Sequence, residues 1–125
     1  MTACEGCSGA LVDPAVLRGL QAELGDASVI DAFVRSYVAM LPSRLARLHH
    51  ALDTGDMAGA LDAVLSLKTS SDMVGAVCLR RLAAELETSM KLMPNGHHLT
   101  ELDPQLSEIE HHAFGTIREL ESPLR

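Results

Sequence analysis

Apolar residues return along most of the chain at three- and four-residue steps, the spacing that puts them on one face of a helix. The longest such stripe runs through Ile30, Phe33, Val34, Tyr37, Val38, Leu41, Leu45, Leu48 and Leu52. A second holds Met57, Ala60, Leu61, Val64, Leu67 and Ser71, and a third Leu79, Leu82, Ala83, Leu86, Met90 and Met93. Leu106, Ile109, Ala113, Ile117 and Leu120 make a fourth. The residues between stripes are those that start and stop helices. Asp13-Pro14 sets a capping carboxylate before a first-turn proline, and Gly25 can close the turn that follows, which predicts a short helix over 13–24. Asp26 and Asp56 can cap the next two helices, which Thr54-Gly55 and Gly75 would end. Pro94-Asn95-Gly96 signals a turn, and Asp103-Pro104 can open the last helix. Pro42 sits inside the longest stripe and removes one backbone donor, so a bend or local break is expected near Ala39 to Pro42.

Four long amphipathic helices with short connections predict an all-α fold, an antiparallel four-helix bundle with a short additional N-terminal helix. At 125 residues and 13.4 kDa the chain has the size of one domain. That domain is placed at 11–125, and residues 1–10, small, polar and unpatterned, read as a flexible leader. Hydrophobic residues are 47% of the chain, yet it has no Trp, one Tyr and two Phe, so the core must be built of Leu, Val, Ala and Met. These residues suit packed helices better than a sheet. A formal charge of −7 works against binding phosphate backbones, which excludes nucleic acid as an expected partner. With no basic, apolar leader and no run of membrane-spanning length, the expected location is the cytoplasm and no membrane contact is expected.

Several clusters invite a chemical reading that their spacing does not sustain. Cys4-Glu-Gly-Cys7 has the C-x-x-C spacing of zinc and redox sites, but nothing in the leader completes four ligands. Cys78 is expected to be a buried thiol. His49-His50, His97-His98 and His111-His112 are adjacent pairs, and adjacent helical residues diverge by about 100 degrees, so a pair cannot chelate from one face. Most of these histidines are expected at the surface. Glu108-x-x-His111 has di-iron spacing, yet it occurs once, where such sites need two copies and two more carboxylates. Ser66, Ser70 and Ser71 lack a neighbouring base, and helix serines usually bond a preceding carbonyl. No metal or other cofactor is expected.

The third and fourth predicted helices carry a more specific pattern. Leu67, Lys68, Gly75, Ala76, Leu79, Leu86 and Glu87 fall in the register of the histidine-containing phosphotransfer (HPt) domains of bacterial phosphorelays, which the chain resembles from Leu11 to about Leu120. In that family the reactive histidine stands three residues before the lysine. Counting back from Lys68 reaches Leu65, whose isobutyl group has no nitrogen to take a phosphoryl group. One residue beyond the lysine, where the family usually has glycine, stands Thr69, which would crowd a partner's approach. Placing Val64 at the core centre turns Leu65 to the shoulder of the helix, with Asp72 near the same azimuth, so Leu65 should be at least partly exposed.

The resemblance implies a signalling module, not an enzyme, that engages a response-regulator receiver domain or a histidine kinase through the face of its second and third predicted helices, the 30–52 and 57–71 stripes, without carrying phosphate. The partner-binding set is Leu61, Leu65, Lys68, Thr69, Asp72 and Gly75, with no catalytic residue. Lys68 would support a phosphoryl group or face the partner's acidic pocket, or else be a solvated helix lysine. Two alternatives stand beside this reading. One is an active phosphotransfer protein whose acceptor is altered or lies elsewhere, with His49 and His50 lacking the lysine register. The other is a structural dimerisation bundle, whereas the resemblance favours a monomer.

Overall fold

The computed structural model describes residues 10–93 and 99–122. Among them are five α-helices and no strand: α1 Pro14–Leu24, α2 Ala27–Thr54, α3 Met57–Val74, α4 Val77–Leu92 and α5 Asp103–Glu121. A 3-10 turn, Leu99–Leu102, leads into α5. Helices α2 to α5 pack in a ring, each against its sequence neighbour and α5 back against α2, while α1 lies across α2 and α3. This is the all-α bundle with a short extra helix that the stripes predict.

The starts of α1 to α3 follow from their caps. Asp13, Asp26 and Asp56 accept the backbone N–H of Ala15, Ser28 and Gly59 at 3.0, 2.9 and 2.9 Å, each satisfying a donor that the first helical turn leaves open. Ser28 also bonds Asp26 through its hydroxyl, and this bond first, then the backbone one, holds the Asp26 carboxyl below its usual pKa. No side chain caps α4. The N-terminal segment serves instead: the Cys78 N–H donates to the Leu11 carbonyl at 3.3 Å and the Asp13 N–H to the Gly75 carbonyl at 2.8 Å. On α5, the Glu119 carboxylate accepts the N–H groups of Leu11 and Val12 at 3.0 to 3.1 Å. One carboxylate thereby fixes the entry of the chain against the far end of the bundle.

Leu41, Leu48 and Leu52 of α2 meet Val64 and Leu67 of α3, Leu79, Leu86 and Met90 of α4, and Leu106, Ile109 and Leu120 of α5 in one core. Each such side chain contributes roughly 1.5–3 kcal/mol by leaving water. That packing decides the fate of Pro42. Ala27 to Thr54 is one helix with Pro42 inside it, as expected, and no break interrupts it at the proline. Tyr37, Leu41 and Leu48, buried on both sides of the proline, hold the axis while the exposed ring costs one backbone bond.

Two polar bonds are sealed inside. The Tyr37 hydroxyl and Ser71 Oγ lie 2.8 Å apart between α2 and α3, and burial pushes the Tyr37 phenol above its ordinary pKa. The Thr116 hydroxyl donates to the His112 carbonyl at 2.9 Å. The described histidines lie mostly at the surface as expected, and His112 is the exception. It is buried, with Nδ1 2.8 Å from the Glu108 carbonyl, whereas His49, His50 and His111 are exposed. Cys78 is buried as expected but is disulfide-bonded, not a free thiol. The Cys4-Cys7 pair, the Pro94-Asn95-Gly96 turn and His97-His98 lie outside the described residues.

Candidate docking face

The site implied by the sequence lies along the outer shoulder of α3. Val64 is fully buried, and one residue on, about 100 degrees round the helix, Leu65 is 41% exposed. Thr69, one turn later, is exposed, as are Asp72 and Met73 beyond it. Leu65 and Thr69 thus form a crest at the surface, with α4 on one flank and α2 on the other. Helix α3 holds no histidine, and neither does α4. The nearby serines have local partners: Ser70 Oγ donates to the Ser66 carbonyl at 2.8 Å, and Ser71 is the buried partner of Tyr37.

On the α4 flank the cation is already engaged. Lys68 Nζ donates to Glu87 Oε1 at 2.6 Å, and Lys91 Nζ reaches Glu87 Oε2 at 2.9 Å. The Glu87 side chain is only 11% exposed, and the hydrogen bonds from Lys68, then Lys91, hold its carboxyl below the usual carboxylate range. The charge of Lys68 thus already faces a carboxylate, with its side chain one-third exposed. It ties α3 to α4. The signal for this was in the sequence, since Glu87 follows Leu86 on the inner stripe of α4, where a carboxylate needs a cation. Asp72 likewise faces Arg80 of α4 at 3.5 Å.

Leu61 is half-buried and packs on the core, below the crest. Gly75 does not belong to the exposed set. It is buried, and a Cβ there would stand 2.7 Å from the Asp13 carbonyl oxygen and 2.9 Å from Val16 Cβ. Its role is to let α1 lie close over the α3–α4 junction, and the partner-binding expectation for it is corrected accordingly.

The α2 flank continues the crest as an apolar surface. Leu24 of α1, Val29 and Met40 of α2, and Leu65 and Met73 of α3 are five of the seven exposed large hydrophobic residues among the described ones, and these five lie on three adjoining helices. An apolar groove of about 450 Å³ opens among them, walled by Val16, Leu20 and Leu24, by Val29, Ile30 and Phe33, and by Met73, with Asp72 at its rim. Clustering of exposed apolar residues on one face is the mark of a surface that meets another protein. Among the described residues no group of three His, Cys, Asp or Glu side chains is placed to hold a metal ion, and no helix is long and apolar enough to cross a membrane.

Helices α2 to α5 thus form a four-helix bundle with the candidate face along α2 and α3. The family model of the Hpt domain matches residues 32–113, and the chain belongs to that family. Histidine-containing phosphotransfer protein B (HptB) from Pseudomonas aeruginosa PAO1 is similar in structure, with a TM-score of 0.78 and 25% identity over 91% of this chain and 94% of that one. The HPT domain from the Hpt sensor hybrid histidine kinase from Shewanella shares the fold, with a TM-score of 0.58 and 18% identity over 90% of this chain and 97% of that one. A comparison with curated proteins gives no match. Hpt domains are phosphoryl carriers that interact with receiver domains and histidine kinases, and membership of that family makes the chain a phosphorelay signalling module.

Proposed function

We propose that this Hpt domain has given up phosphoryl transfer and acts as a cytoplasmic, monomeric docking module. It would bind a response-regulator receiver domain, or a histidine kinase, through the α2 and α3 face without carrying phosphate. The observation that carries the reading is the crest of α3, where the residue three places before Lys68 is a surface leucine and the helix holds no histidine at all. An imidazole nitrogen is the nucleophile that takes phosphoryl from an aspartyl phosphate, and no other side chain at the crest can replace it. The neighbouring apolar groove and the exposed Met40 and Met73 supply contact area that needs no chemistry.

The same arrangement disfavours His49 as a substitute acceptor. Its Nδ1 lies 3.3 Å from Glu110 and its Nε2 3.3 Å from Asp53, so both nitrogens face carboxylates that repel a phosphoryl group. The test is to incubate the full chain with phosphorylated receiver domains and measure acid-labile phosphohistidine while recording binding by calorimetry. The expected outcome is saturable binding with no label. Stoichiometric label on any histidine would sink the non-catalytic reading, and absence of binding to every receiver and kinase tried would sink the docking one.

A further inference from the structure

We infer that Arg44 of α2, and not Lys68 of α3, is the cation with which this face grips the acidic pocket of a receiver domain. The inference rests on the docking reading above and names the group that makes it selective.

Two contacts fix the register of α2 against α3. Tyr37 meets Ser71 at 2.8 Å, and Arg47 meets Asp62 at 2.7 Å. Moving along α2 from Tyr37 towards Arg47 is matched by moving back along α3 from Ser71 towards Asp62, so Arg44 stands level with Val64 and Leu65. It is the α2 residue abreast of the missing nucleophile. Its side chain is half-buried and lines a small cavity of about 140 Å³ with Tyr37, Met40, Ser70 and Met73. Helical side chains lean towards the N-terminus of their own helix, which here means along the crest towards Thr69 and Ser70.

The ion pairs decide which cation is available. Lys68 is bound to Glu87, Arg47 to Asp62 and Arg80 to Asp72. Arg44 has no carboxylate within ion-pair distance among the described residues. Arg35, nine residues back on α2, is half a turn away and belongs to the opposite side of the helix. Among the described residues of this face, a chain with a net charge of −7 thus presents in Arg44 a guanidinium without a carboxylate partner, beside Met40 and Met73. The occupant that complements it is a cluster of carboxylates. Guanidinium forks onto a carboxylate with two parallel hydrogen bonds, and covering the pair with Leu65, Met40 and Met73 would exclude the water that weakens it. Leu65 then packs over the pocket mouth where an acceptor imidazole would have entered it.

The experiment titrates the full chain with a panel of purified receiver domains, each also made with its pocket aspartates changed to asparagine. Arg44→Ala should weaken binding to an intact receiver about tenfold or more, the loss expected on removing one partner of a covered charge pair, and Arg44→Lys should recover part of it. The asparagine receivers should bind wild type and Arg44→Ala alike. Lys68→Ala should change affinity less than about threefold, because its charge is already spent on Glu87. Unchanged affinity for Arg44→Ala with binding lost in Leu65→Asp would overturn the role of Arg44 while leaving the docking reading in place. An equal loss in Lys68→Ala and Arg44→Ala would overturn the choice between the two cations. No binding of wild type to any receiver would overturn the docking reading, and this inference with it.

Discussion

Gly75 shows how much one residue can hold. Its φ of +78 degrees is one that side-chain-bearing residues rarely adopt, and a Cβ would also press on the Asp13 carbonyl and Val16. Gly25 has a comparable φ of +71 degrees but open space around it. Gly75→Ala should therefore destabilise the protein clearly more than Gly25→Ala, by about 2–3 kcal/mol against about 1 kcal/mol, in urea unfolding of the two variants. Equal losses would mean that α1 moves aside at little cost. In the sequence Gly75 reads as a helix stop and a family position; its contact with α1 does not show there, because Asp13 and Val16 are some sixty residues away. Leu65 was legible for the opposite reason. Its exposure follows from its angle to Val64 on the same helix, which no distant residue alters.

Between elements, the charges that the sequence scatters become clamps. His49 of α2 bridges Asp53 on its own helix and Glu110 of α5, and the hydrogen bond with Glu110, then the Asp53 charge, raises its pKa above the ordinary histidine value. A raised folded-state pKa means stabilisation that is fully present below the unfolded value of about 6.5 and is lost as pH rises through the folded value. Melting temperatures of wild type and His49→Gln should thus differ in favour of wild type near pH about 5.5 and converge by about pH 9, with the gap narrowing in salt. A gap that grew with pH would show that His49 acts through packing, not charge. The Lys68–Glu87–Lys91 triad has the reverse sense. The lowered pKa of Glu87 supports stability above the ordinary glutamate range, and that support fades as acid protonates the carboxylate. Helix stripes, caps and stops were readable because each depends on residues within a few positions. The pairing of Glu119 with the N–H groups of Leu11 and Val12 was not, since it joins the two ends of the fold.

For the whole molecule, one continuous core across α2 to α5 implies one cooperative transition. Leu48→Ala, which removes a fully buried side chain, should lower stability by about 2–5 kcal/mol and shift the far-ultraviolet and near-ultraviolet unfolding curves together. Curves that separate would reveal α1 or α5 melting ahead of the rest. At this scale the division of information is plain. The sequence alone determined the helical class, the helix limits set by Asp13, Asp26, Asp56 and the closing glycines, the inward stripes, and the absence of histidine from α3, because periodicity, capping and side-chain identity are local properties. Tertiary structure decided that Pro42 breaks nothing, that His112 is buried, that Gly75 lies beneath α1, that Lys68 pairs with Glu87 and that Arg44 lines a cavity with Ser70 and Met73 with no carboxylate in ion-pair distance among the described residues. Each of these depends on which helix faces which, and at what register. Only packing the four stripes against one another fixes that, because a charge or an exposed face acquires its meaning from the neighbour placed opposite it.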